Sequence, residues 1–249
     1  MRIQLIRNAT LRITYSEKLI ITDPYLADKC SMPSYTGASP NPLVDLPCTP
    51  QDVIEGIDMA LVSHIHSDHF DPTAQRLLPK DLPLFCQPGD EPMIKEKGFH
   101  KVMPVVDTIN WDGITILRTP GQHGTGNVLV EMGNTSGFLL KSKGEPTVYW
   151  VGDSIWCDAV AAVIDKHQPD IIITHSGGAV WGDNILIIMD ALQTVDVCRA
   201  APKAVVVAIH MESLDHGTVS RSDLRTKAKM ENIKPDQLLI PDDGEIIEF

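Results

Sequence analysis

No stretch of this chain of 249 residues is apolar for long enough to cross a bilayer, since a spanning helix needs roughly 20 consecutive apolar residues. The opening Met1-Arg2-Ile3-Gln4-Leu5 lacks the apolar core of a secretion signal. The five cysteines, Cys30, Cys48, Cys86, Cys157 and Cys198, are odd in number, scattered, and form no C-x-x-C pair. That argues against a disulfide framework and for a reducing compartment. Basic residues are in deficit: 21 against 33 acidic, a formal net charge of −12. So acidic a chain is a poor partner for nucleic acid or an anionic membrane surface. There is no G-x-S-x-G elbow to support serine-hydrolase chemistry. No low-complexity linker and no short internal repeat divides the chain, so residues 1–249 are expected to fold as one domain with a substantial core. A cytoplasmic location and a small-molecule partner, with no nucleic acid and no membrane, are the resulting expectations; a homo-oligomer is left open.

What the chain does have is histidine, concentrated in Ser63-His64-Ile65-His66-Ser67-Asp68-His69. The preceding Ile57-Asp58-Met59-Ala60-Leu61-Val62 has the length and apolar character of a buried strand. The following Asp71-Pro72 is a helix N-cap with proline at the first helical position. Three imidazoles and a carboxylate therefore sit in a tight loop between a strand end and a helix start. Neutral imidazole and carboxylate suit zinc and similar divalent ions. Four such groups this close in sequence cannot all face one ion, so the pattern H-x-H-x-D-H suggests two, with His64 and His66 on one side and Asp68 and His69 on the other.

Taken in order, residues 3–6, 11–15 and 19–22 read as short strands. The third ends at Asp23-Pro24, where Asp23 is either a turn residue or a carboxylate that orients a ligand histidine. Asn8 is a weaker candidate for the same neighbourhood. Residues 25–50, rich in proline, have no clear period and read as a loop bordering the site; Tyr25, Met32 and Tyr35 either contact substrate or pin that loop. Strands are expected near 82–86, 101–105, 108–111, 114–118, 128–132, 137–141, 147–151, 170–174, 203–209, 238–240 and 245–247. Helices are expected at 72–78, 90–97, 157–167, 184–199 and 220–230. His123 lies in a loop with three glycines, which lets the backbone approach a site closely. Asp153 directly follows a strand, and a carboxylate can bridge two cations. His210 ends the apolar strand Val207-Ala208-Ile209 and is preferred as a ligand over His216 for that reason.

These residues, in this order, resemble the signature of the metallo-β-lactamase superfamily. The later members are His123 in Pro120-Gly121-Gln122-His123-Gly124, Asp153 in Trp150-Val151-Gly152-Asp153-Ser154, and His210. The resemblance covers nearly the whole chain. Within the superfamily it is similar to the L-ascorbate-6-phosphate lactonase-like branch, through Thr22-Asp23-Pro24 and the Gly152-Asp153 turn. Pattern alone supports only an α/β or α+β class; the resemblance implies an α+β, four-layer αββα sandwich. It also implies two divalent ions, with zinc expected and manganese or ferrous iron suited to the same donors. His64, His66 and His123 would hold the first, Asp68, His69 and His210 the second, and Asp153 would bridge.

The chemistry so implied is hydrolysis by a metal-bridging hydroxide, acting on an ester or lactone of a small polar metabolite. Asp68 is counted with the catalytic residues as well as the ligands. His175 and His216 are candidate substrate-binding or proton-donating groups, set against an ordinary hydrogen-bonded structural role for each. Two other functions stand beside this one. A phosphodiesterase of small-molecule or cyclic-nucleotide type would use the same metal pair. A non-catalytic metal-binding regulatory protein would be favoured by missing ligands, and none is missing.

Overall fold

The computed structural model describes residues 1–249. The chain opens with three antiparallel strands, β1 (Arg2–Arg7), β2 (Thr10–Tyr15) and β3 (Lys18–Thr22). A long irregular stretch leads to α1 (Pro50–Ile54), β4 (Met59–Val62), α2 (Pro72–Leu77), β5 (Leu84–Cys86), α3 (Glu91–Glu96) and β6 (Val102–Pro104). The second half begins with β7 (Thr108–Trp111), β8 (Ile114–Pro120), α4 (Gly126–Met132), β9 (Ser136–Lys141) and β10 (Val148–Trp150). Then come α5 (Asp158–His167), β11 (Ile171–His175), a small hairpin of β12 (Val180–Trp181) and β13 (Ile185–Leu186), and α6 (Ala191–Ala200). The chain closes with β14 (Val205–Ile209), α7 (Arg221–Met230), β15 (Leu238–Leu239) and β16 (Ile246–Glu248).

Two seven-stranded sheets result, ordered β16-β1-β2-β3-β4-β5-β6 and β15-β14-β11-β10-β9-β8-β7. Their facing sides share one apolar interior, where Leu5, Ile13 and Leu61 of the first sheet meet Phe138, Trp150 and Ile173 of the second. The outer face of the first sheet carries Ile21, Ala60 and Val62, which pack with Val53, Ala74 and Ile94 of α1, α2 and α3. That of the second carries Tyr149, Ile172 and Val206, against Val160, Val197 and Leu224 of α5, α6 and α7. This is the expected α+β arrangement of four layers. In both sheets the strands next to helices run parallel: β3 to β6 in the first, and β10, β11, β14 and β15 in the second. Asp23, the 63–69 loop, Asp153, His175 and His210 all stand at carboxyl ends of those parallel strands. Open parallel sheets place their functional crevice at such ends. No helix is long and apolar enough to cross a membrane, and all five cysteines are free.

Two expected elements differ. Residues 128–132, expected as a strand, form helix α4. β8 and β9 pair directly with each other from Thr115↔Lys141 to Pro120↔Ser136, which leaves no edge between them for another strand to pair with. The segment turns helical and buries only Val128, while Val130 is 82% exposed. The helix expected over 184–199 begins only at Ala191. Gly182 and Asn184, with φ of +56° and +60°, make the β12–β13 hairpin turn and hold Ile185 and Leu186 extended. The helix then starts where Asp190 caps it by accepting from Gln193 N–H.

Candidate metal centre

The turn after β4 is short because the His66 carbonyl accepts from both His69 and Phe70 N–H, each at 3.0 Å. Asp71 then starts α2, its carboxylate accepting from Thr73 and Ala74 N–H and, across the chain, from Leu26 N–H. The turn thereby gathers His64, His66, Asp68 and His69 at the carboxyl end of the parallel strands.

Each of three histidines has its Nδ1 proton engaged by a protein acceptor. His69 Nδ1 donates to Asp23 Oδ2 at 2.7 Å. His64 Nδ1 donates to Ser63 Oγ at 3.0 Å, and that hydroxyl donates to Asp23 Oδ2 at 2.6 Å. His123 Nδ1 donates to the Ile187 carbonyl at 2.7 Å, a carbonyl that an α-helix through Ile187 would have claimed. A histidine so held turns Nε2 the other way, as metal-ligating imidazoles do. Asp23 thus holds His69 directly and His64 through Ser63. Ser63 and the Ile187 carbonyl belong to the same framework, and only the position of Ser63, between strand and histidine, hinted at it in sequence. The Asn8 side-chain amide donates to the Asp68 carbonyl and its backbone carbonyl accepts from His210 N–H, so it ties the segments of Asp68 and His210 together.

The side chains converge in groups whose donor atoms lie within 4.8 Å of one another: His64 with His66 and His123, Asp68 with His69 and His210. Asp153 stands between them. Its Oδ2 is 3.9 Å from His64 Nε2, 3.5 Å from His123 Nε2 and 3.2 Å from His69 Nε2, while its Oδ1 is 3.8 Å from His210 Nε2. His216 belongs to neither group.

The electrostatics favour cations. Burial would raise the carboxyls of Asp68 and Asp153, but their histidine neighbours, His69 first, outweigh it and hold both well below the ordinary carboxylate range. Burial would lower His69, but Asp153, Asp68 and Asp23 around it raise it well above the ordinary value. His64 is pushed well below its ordinary value, first by burial and then by His69 and His66. Imidazole lone pairs crowded on buried carboxylates suit divalent ions of the zinc, manganese or ferrous class.

His175 is brought to the centre but not to its opening. It is fully buried, with Nδ1 2.5 Å from Asp153 Oδ1 and Nε2 accepting from Trp150 Nε1 at 3.0 Å. Burial lowers it to about 4, against Asp153, which raises it. The substrate-facing role considered for it needs a free ring nitrogen, and neither is free. His216 is buried, has no partner at Nδ1, and meets the Tyr35 ring edge to face at 4.8 Å. Tyr35 Oη is 2.7 Å from Ser67 Oγ and 3.4 Å from Asp68 Oδ1. The loop carrying Tyr35 is pinned by Asp215, which accepts from Ser34, Thr36 and Asn41 side chains and from Tyr35 N–H.

A cavity of about 250 Å³ opens over the two groups. Tyr35, Met132, Trp181 and Ile187 form its wall, and His66, Asp68, His123, Asp153 and His216 its floor; no lysine or arginine lines it. A larger groove of about 980 Å³ runs along α7 and β16, away from these residues.

A family model for the beta-lactamase superfamily domain matches residues 20–211. The UPF0173 protein YddR of Bacillus subtilis is 35% identical over 255 residues, which covers 100% of both chains. A solved isothiocyanate hydrolase from Delia radicum gut bacteria superposes with a TM-score of 0.94 at 33% identity, covering 100% of this chain and 99% of that one. A possible metal-dependent hydrolase from Veillonella parvula superposes with a TM-score of 0.95 at 34% identity, covering 99% and 98%.

Proposed function

Because the chain belongs to the metallo-β-lactamase superfamily, and within it to the UPF0173 metal-dependent hydrolases, we propose that it hydrolyses a small uncharged substrate at an electrophilic carbon with two divalent ions. His64, His66 and His123 hold one ion in this reading, Asp68, His69 and His210 the other, and Asp153 serves both. Such a pair lowers the pKa of water and polarises the oxygen or sulfur of the bond under attack. The rest falls to the chain. Asp23, Ser63 and the Ile187 carbonyl keep three imidazoles turned inward. Tyr35, whose hydroxyl burial holds protonated far above neutral pH, is a neutral donor in the cavity wall.

The observation that carries the substrate reading is the lining of the cavity: aromatic and aliphatic side chains with carboxylates and imidazoles, and no lysine or arginine. Beyond the two ions a phosphate would meet no lysine or arginine, which weighs against a phosphodiester and against the phosphorylated sugar lactone of the resembled branch. An isothiocyanate fits: it is uncharged, carries an apolar substituent, and has an electrophilic carbon. The isothiocyanate hydrolase of similar length and fold supports that choice. Water adds to the N=C=S carbon to give a thiocarbamic acid, which loses carbonyl sulfide and leaves the amine. An unphosphorylated ester or lactone presents the same kind of carbon and is the second reading.

The test is a panel of isothiocyanates, lactones, esters and phosphodiesters offered to metal-replete protein, with elemental analysis of the same sample. Turnover of isothiocyanates, abolished by chelation and restored by metal, is expected, with two ions per chain. Turnover confined to phosphodiesters would overturn the substrate reading, and an ion count no higher than one would overturn the dinuclear site. Inertness toward every class would favour the regulatory, non-catalytic reading.

A further inference from the structure

His175 can be a ligand, a proton donor or a support, and its two hydrogen bonds distinguish these roles. Its donor atom lies within 4.8 Å of those of Asp153 and His210, close enough to join a metal group. The other ring nitrogen decides against that. Trp150 Nε1–H is a donor and can only donate, and it points at His175 Nε2 from 3.0 Å. The Nε2 atom must therefore be the acceptor, without a proton. The single ring proton then sits on Nδ1 and is donated to Asp153 Oδ1 at 2.5 Å. To ligate through Nδ1, the ring would have to move its proton to Nε2, against the indole N–H. Two buried donors would face each other, and leaving a buried donor without an acceptor costs about 1–3 kcal/mol. A doubly protonated ring meets the same obstacle.

Trp150 is itself packed tightly. It is buried in the interior shared by the two sheets and stacked on Phe138, ring centroids 6.0 Å apart. It lies in β10, three residues before Asp153, while His175 ends the neighbouring strand β11. The chain of contacts thus runs from the core through two adjacent strands to the carboxylate.

We propose that His175 is a positioning residue whose Nδ1–H, fixed in place by Trp150, holds Asp153 Oδ1 and so leaves Oδ2 as the oxygen offered to both groups of ligands. The placement of Oδ2 agrees, at 3.2–3.9 Å from Nε2 of His69, His123 and His64. The proposal rests on the metal-site part of the function above and is independent of the substrate.

Two measurements test it on the full chain. Imidazole nitrogen NMR of the zinc-loaded protein should show His175 as the Nδ1–H tautomer, and Trp150→Phe should release the Nε2–H form. A metal-bound Nδ1, or an Nε2–H ring in the unaltered protein, would overturn the proposal. Zinc titration of apo protein should show His175→Leu weakened about ten-fold or more. His175→Asn, whose amide can donate from near the Nδ1 position, should recover most of that loss. Unchanged affinity in His175→Leu, or an equal defect in both variants, would also overturn it. If the unaltered protein binds no metal, the proposed function fails, while the tautomer of His175, read on the metal-free protein, still decides this proposal.

Discussion

Asp23 shows how much one buried carboxylate does here. Its two oxygens receive Ser63 N–H, Ser63 Oγ–H and His69 Nδ1–H, so one side chain aims His69 directly and His64 through Ser63. Proximity to Pro24 makes a turn residue nearly as good a reading of the sequence, because a hydrogen bond to a residue 46 positions away leaves no local mark. The choice between His210 and His216 has the same character. Both follow β14, and only His210 comes within reach of Asp68 and His69, at 3.4 Å from each. His210→Ala is accordingly expected to lose one ion and nearly all activity. His216→Ala should keep both ions and lose activity less, mainly through substrate binding, because its ring packs on Tyr35 in the cavity wall. Metal analysis of the two purified variants checks this, and metal loss that follows His216 instead would refute the ligand choice.

At the scale of elements, the pieces legible in sequence are those whose signals are local. The H-x-H-x-D-H turn, the Asp71 cap with Pro72 behind it, and the Ser220/Asp223 capping box of α7 all stand where their residues announce them. Helix α1 was announced as well, by Thr49 and Asp52, whose reciprocal capping bonds form; the proline-rich stretch before it obscured the signal. The elements that depart from their local pattern are those that a partner decides. A β-branched run became α4 for want of a strand edge, and a helical stripe was interrupted by the β12–β13 hairpin. Asp71 permits a quantitative check. Asp71→Ala removes a cap, worth about 1 kcal/mol. It also leaves the Leu26 N–H without its acceptor, at about 1–3 kcal/mol. A loss of roughly 2–4 kcal/mol in urea unfolding is expected from these two terms. A change below about 0.5 kcal/mol, the usual size for an unremarkable surface substitution, would show that α2 does not depend on this residue.

Across the whole molecule, seven candidate ligand positions from His64 to His210 meet at one edge of the sandwich, and the two sheets come together through their side chains. Metal should then hold the fold as well as serve the reaction. An ion present at a hundred times its dissociation constant stabilises the folded state by about 2.7 kcal/mol. For a chain of this size that is roughly 5–10 °C in melting temperature per site. Chelation is expected to lower the melting temperature by at least that much, and His66→Ala with His210→Ala together should already lie near the chelated value. Calorimetry with and without chelator measures it, and an unchanged transition would mean that the ligand groups do not bind metal in the folded protein.

By itself the sequence determined the class of chemistry and much of the scaffold. A strand, a histidine-rich turn and a capped helix are each specified by neighbours a few residues apart, so their residues carry the information. Only the tertiary structure decided which of the remaining groups take part and how. Asp153 is central because β10 ends between the two groups of ligands. His175 is turned from substrate to support by an indole on the adjacent strand. His123 is aimed by a carbonyl from a segment that local pattern would have made helical. Each of these outcomes depends on a hydrogen bond across at least 22 residues of chain. The geometry of such a bond is created when the sheets pack, and no spacing along the chain encodes it.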